Sequence, residues 1–213
     1  MTGLAEGTGS ALDFFPDERD LDSLRVAAAG CKGCDLWTRG TQTVFGEGPA
    51  KAGLVLVGEQ PGDQEDEQGR PFVGPAGRML DRCLDEAGIA RDRVYVTNVV
   101  KHFKWEPRGK RRIHSKPNAR EIRACRPWLE AELADIEPEG LLLLGATAAQ
   151  ELLGRDFRVS RQRGELVESP LAPRVMATVH PSSLLRAPDE ETRRREIAAF
   201  TADLRGMRQA MGW

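Results

Sequence analysis

The sequence predicts an α/β fold: a three-layer α/β/α sandwich around a central four-stranded parallel sheet. Three observations carry this. Four short runs are continuously apolar rather than alternating, helical patterns lie between them, and turn-forming polar motifs follow each run directly. The runs occupy residues 53–58, 93–99, 140–145 and 174–179. Continuous apolar character suits strands covered on both faces, as in a parallel sheet with helices above and below.

Residues 1–20, rich in Gly and acids, read as a loosely ordered tail. Residues 21–213 then form one domain, because 40% hydrophobic content over 213 residues supplies a single core and requires no second one. The stretch 74–88 begins with Pro75 in a first-turn position. It places Met79, Leu80, Cys83, Leu84 and Ala87 on one face before Gly88 stops it. A second helix spans 118–136, between Pro117 and Pro138; a third spans 146–153; a charged helix at 189–211 closes the chain. No internal repeat is present. The apolar runs are far too short to cross a bilayer and the N-terminus lacks a basic start followed by an apolar stretch, so the expected location is cytoplasmic, with no membrane partner. Nothing in the sequence demands more than a monomer.

A formal net charge of −2 argues against a protein that coats nucleic acid over its whole surface. It conceals one basic segment, in which Lys101, Lys104, Arg108, Lys110, Arg111, Arg112 and Lys116 stand against Glu106 alone. Without an export signal, the four cysteines point away from disulfides and toward a metal or a catalytic role. Cys31 and Cys34 have the C-x-x-C spacing of a metal site, which by itself also fits zinc or redox chemistry. Cys83, on an apolar helix face, reads as core.

The carboxyl edge of an open parallel sheet presents the loops that build sites. After the first run comes Gly58-Glu59-Gln60-Pro61-Gly62-Asp63; the second ends in Thr97-Asn98, the third in Gly145-Ala146-Thr147, the fourth in His180-Pro181-Ser182-Ser183. A carboxylate, an amide and a histidine therefore converge on one crevice. Taken singly each motif is also what turns and helix caps use. Dinucleotide binding is disfavoured, since no G-x-G-x-x-G occurs.

These motifs, with Pro71-Phe72-Val73-Gly74-Pro75-Ala76-Gly77 and Val96-Thr97-Asn98, resemble the uracil-DNA glycosylase superfamily over about residues 31–186. Lys110-Arg111-Arg112-Ile113-His114 resembles the hallmark loop of its X-type branch, UdgX, related to the iron–sulfur family 4 enzymes. The resemblance implies excision of uracil from DNA, single-stranded DNA included. It also implies a [4Fe-4S] cluster held by Cys31, Cys34, His102 and Cys125, with zinc as the alternative metal. Phe72 would stack on the flipped base and Asn98 would read its O4/N3 edge. His180 would donate toward uracil O2, while Ser182 and Ser183 meet a phosphate. His114 would attack C1′ of the sugar and remain bonded to it, with Glu59 orienting the imidazole; Gln60 and Asp63 would shape the pocket, and Lys110, Arg111 and Arg112 would hold the DNA backbone. A conventional turning-over glycosylase and a noncatalytic iron–sulfur nucleic-acid binder are the competing readings.

Overall fold

The structure, a computed structural model, describes residues 9–213. Its strands are β1 (Leu54–Gly58), β2 (Val94–Asn98), β3 (Trp105–Arg108), β4 (Arg111–His114), β5 (Gly140–Leu144), β6 (Leu166–Val167) and β7 (Arg174–Thr178). Its α-helices are α1 (Leu21–Ala28), α2 (Asp63–Gln68), α3 (Pro75–Ala87), α4 (Ala119–Ile136), α5 (Ala146–Leu153), α6 (Val159–Gln162), α7 (Pro181–Leu185) and α8 (Glu190–Ala210).

The four apolar runs become β1, β2, β5 and β7, all parallel, in the order β2-β1-β5-β7. The predicted four-stranded sheet gains a fifth member: β6 pairs antiparallel with the outer edge of β7, through Leu166 opposite Met176 and Val167 opposite Val175. Two residues are too few to show a period, so β6 carries no pattern by which it could be anticipated.

Successive side chains of a strand point to opposite faces, and that alternation sorts the sheet into two cores. Val55, Val57, Tyr95, Leu141, Leu143 and Val175 pack with α1, α4 and α5. Leu54, Leu56, Val96, Leu142, Leu144 and Met176 pack with α3 and α8. The helices follow their end signals. Pro75 occupies the first turn of α3, and Asn118 caps α4 in a reciprocal box with Glu121. Asp189 caps α8 through the Thr192 amide at 2.6 Å.

Of the expected N-terminal tail, residues 1–8 lie outside the described residues. From Ser10 the chain is held, since Ser10 caps a 3-10 turn, Ala11–Phe14, whose Ala11 is buried, and Phe15 packs on Trp128 of α4 at 4.4 Å. Among the described residues no helix is long and apolar enough to cross a membrane.

Because β1 leads to β2 on one side while β5 lies on the other, the strand order reverses between β1 and β5. Such a reversal opens a crevice at the strands' carboxyl ends.

Candidate active site

That crevice holds a cavity of about 370 Å³, lined by Glu59 and Gln60 after β1, Asn98 at the end of β2, Thr147 after β5 and His180 after β7, with Phe72 from the loop before α3. Two glycines make room for it. A Cβ on Gly58 would stand 2.4 Å from Asn98 Oδ1 and 2.8 Å from Phe72 Cζ, so any side chain there would displace both. A Cβ on Gly77 would lie 1.6 Å from the Phe72 carbonyl oxygen. Phe72 itself has φ 57°, a left-handed conformation that costs a non-glycine residue roughly 1–3 kcal/mol. Helix α3 closing under it holds the ring in the pocket wall.

Asn98 is only 2% exposed, and its Oδ1 is buried with no hydrogen-bond partner in the chain. A buried amide oxygen left unpaired costs about 1–3 kcal/mol, which a ligand carrying a donor repays on binding. Across the pocket, the His180 ring lies near-parallel to Phe72, with centroids 6.1 Å apart and planes 29° apart.

His180 caps α7, and its Nδ1 accepts the Ser182 amide at 3.2 Å and faces the Ser182 hydroxyl at 2.9 Å. With Nδ1 accepting, the neutral ring carries its proton on Nε2. Burial, with smaller contributions from His114 and Arg186, pushes its pKa down to about 4. At neutral pH the pocket therefore contains an uncharged imidazole that donates through Nε2.

His114 ends β4 of the antiparallel hairpin β3–β4, which stands apart from the main sheet. Its side chain is 49% exposed, and Nε2 lies 3.4 Å from Glu59 Oε1. The other Glu59 oxygen accepts the hydroxyl of Thr147. Gln60 grips the root of the hairpin on both sides: its amide nitrogen donates to the carbonyls of Lys104 and Ser115, each at 3.1 Å, and its oxygen accepts the Lys104 amide at 3.2 Å. Trp105 and Arg39 exchange hydrogen bonds of 2.8 and 3.2 Å, fastening β3 to the segment that follows Cys34.

Several sequence expectations meet different surroundings. Arg112 is half-buried and engages Asp63 and Asp66 at 2.5 Å each and Glu67 at 3.4 Å, with its guanidinium over Phe103 and Trp105. It docks the hairpin on α2, so its charge is already matched by protein carboxylates. Asp63 belongs to this latch and is outside the cavity lining. Lys110 and Arg111, at the hairpin tip, are exposed. The Ser183 hydroxyl donates to the His180 carbonyl at 2.8 Å, and the Ser182 hydroxyl accepts from Arg186 at 3.1 Å.

Lys101 is no part of a basic surface. It is 0% exposed, and its Nζ lies 2.5 Å from Glu132, 2.6 Å from the Thr97 hydroxyl and 2.8 Å from the Asn98 carbonyl. Glu132 in turn accepts from Tyr95, Thr97 and the Gly46 amide. Sequence reasoning missed this network because Glu132 is 31 residues away. It also assigned no role to two cations lining the pocket, Lys116 and Arg186. Arg186, one helical turn after Ser182, was open to detection by the i, i+4 rule.

Cys31, Cys34 and Cys125 are buried in one core cluster, and no cysteine among the described residues is in a disulfide. Burial above all pushes the Cys34 thiol up to about 11 and the Cys125 thiol up to about 12, with the neighbouring Cys31 a smaller contributor to both. The Trp128 indole N–H donates to Cys31 Sγ at 3.3 Å and the Lys101 amide to Cys125 Sγ at 3.2 Å. Buried sulfurs served by N–H donors suit thiolates beside a cationic centre, which offsets the cost of burying their charge. His102 is buried and kept neutral by that burial, its pKa pushed down to about 4; its Nε2 faces the Thr43 hydroxyl at 3.0 Å. Among the described residues no three His, Cys, Asp or Glu side chains stand close enough together to hold a metal ion. Cys83 is core, its sulfur 4.0 Å from that of Met79.

Residues 45–205 match the Uracil DNA glycosylase superfamily, and the chain belongs to it. Within that superfamily the chain is 39% identical over 182 residues to the type-4 uracil-DNA glycosylase of Thermotoga maritima, covering 85% of this chain and 91% of the relative. It is 36% identical over 176 residues to the type-4 enzyme of Pyrobaculum aerophilum, covering 79% and 86%. Similarity to the type-5 uracil-DNA glycosylase of Thermus thermophilus is 31% over 134 residues, covering 57% and 58%.

Proposed function

We propose that this protein excises uracil from DNA, single-stranded DNA included, and then remains bonded through His114 to C1′ of the abasic sugar, as in the X-type branch. The observation that carries the excision reading is the orphaned Asn98 Oδ1 opposite a neutral His180. Uracil N3–H is the donor that oxygen lacks, and uracil O4 accepts from the same amide; cytosine presents an acceptor and a donor in the reverse order and leaves both groups unmatched. The flipped base stacks on Phe72. As the C1′–N1 bond breaks, its electron pair leaves on uracil, and the His180 Nε2–H stabilises the charge growing on O2.

The covalent reading rests on His114 beside Glu59. The unprotonated ring nitrogen gives its electron pair to C1′, forming an imidazolium whose remaining N–H proton passes to the Glu59 carboxylate or to the uracil anion. The neutral alkyl-imidazole left behind is a poor leaving group, so the adduct persists. Cys31, Cys34, His102 and Cys125 would hold a [4Fe-4S] cluster, whose contribution is to brace the root of the hairpin. Lys110, Arg111 and Lys116 supply exposed charge for the DNA backbone.

Denaturing electrophoresis after mixing the protein with uracil-bearing single-stranded DNA tests both steps. A slowly migrating band is expected, absent in His114→Ser and His114→Gly, which release uracil and turn over as water enters. Free abasic DNA without that band in the unaltered protein would instead establish a conventional glycosylase. Failure to release uracil at all would leave a nucleic-acid binder.

A further inference from the structure

We propose that Thr147 is the positioning residue for Glu59, fixing the carboxylate so that one oxygen is held by the Thr147 hydroxyl and the other faces the His114 imidazole. The inference rests on the reading of His114 as nucleophile and extends it to a residue on a different element.

A glutamate side chain has three torsions, and the last is broad, so a carboxylate on a loop after β1 has no fixed plane of its own. Glu59 Oε1 lies 3.4 Å from His114 Nε2, long for a hydrogen bond and easily lost if the carboxylate turns. The opposite oxygen, Oε2, is gripped by Thr147 Oγ1. Thr147 suits this task. It sits in the first turn of α5 and is 6% exposed, with its β-branched side chain restricted at χ1 by the helix. A helical threonine commonly spends its hydroxyl on a carbonyl of the preceding turn; here it reaches across to the neighbouring loop. The chain Thr147–Glu59–His114 thus joins the end of β5, the end of β1 and the hairpin. Gln60, adjacent to Glu59, holds the backbone of Lys104 and Ser115 at the root of the same hairpin, so the hairpin root and the His114 side chain are each met by one of two consecutive residues.

The test is a double-mutant cycle on the full-length holoprotein with uracil-bearing single-stranded DNA, following adduct formation and uracil release in a single turnover. A hydrogen bond to an ionised group corresponds to roughly ten- to a hundredfold in rate. Thr147→Val is expected to slow adduct formation by about that factor, and Thr147→Ser, which keeps the hydroxyl, to restore it to within a few-fold. In the cycle, Thr147→Val/Glu59→Gln should be no slower than Glu59→Gln alone, because both changes remove one device. A Thr147→Val protein that reacts like the unaltered one, or a defect that multiplies with that of Glu59→Gln, overturns the proposal. If the unaltered protein forms no adduct, the His114 reading fails separately. The same cycle read in uracil release then decides the Thr147–Glu59 coupling: non-additive supports it, additive overturns it.

Discussion

His180 exemplifies how one side chain obtains its chemical state from its neighbours. The Ser182 amide fixes the tautomer and burial fixes the charge, so the ring is a neutral donor near pH 7. The same burial ties stability to pH. The folded pKa, about 4, lies below the ordinary 6.5, so between those values the unfolded chain binds the proton and the folded chain does not. His180 therefore makes its full contribution above about pH 6.5 and loses it as pH falls toward 4. Urea unfolding of the unaltered protein and His180→Asn should show a stability difference that shrinks, in the disfavour of histidine, from pH 7.5 to 4.5; parallel pH curves would contradict the assigned state. The positions of Asn98 and His180 at the pocket were legible in sequence because each sits at a strand end, where the turn motif marks the crevice, whereas Phe72, in the loop before α3, stood out only through the family motif at residues 71–77. The partners that set their states were not legible: the Ser182 amide contact depends on a cap geometry, and the empty acceptor on Asn98 depends on what Gly58 omits.

At the scale of elements, β2 and α4 are joined by the Lys101–Glu132 pair beneath the pocket, and Lys101 also holds the Asn98 carbonyl. Replacing one partner of a buried pair strands the other. Lys101→Met should cost about 3–5 kcal/mol in urea unfolding, with partial recovery in Lys101→Met/Glu132→Gln, where no net charge is left behind. A loss well under 1 kcal/mol would mean the pair is not sealed from water. The four parallel strands and the main helices follow local period and end signals, which is why residues 75–87 and 119–136 were anticipated almost to the residue. The hairpin was not. Residues 101–116 read as a charge run, yet Arg112 turns inward to three acids of α2 while Arg111 and Ile113 turn out, an alternation that cationic side chains disguise.

Across the whole molecule, the C-x-x-C segment, the hairpin and the pocket form one mechanical line: Cys31 and Cys34 lead to Arg39, Arg39 and Trp105 exchange hydrogen bonds, and β4 carries His114. On the proposed cluster and adduct, removing the metal from the purified protein should accordingly raise amide hydrogen exchange over residues 104–115 and lower adduct yield, while β1, β5 and β7 keep their protection. Equal loosening of sheet and hairpin would place the metal's role in the core instead. The separation of β3–β4 from the main sheet has a consequence for how such a protein changes over generations. A two-stranded arm bolted on by an amide, a guanidinium and an indole shares no ladder with its host, so point replacements at the bolts can re-aim its tip without unravelling a strand. The scaffold and the arm are free to evolve at separate rates.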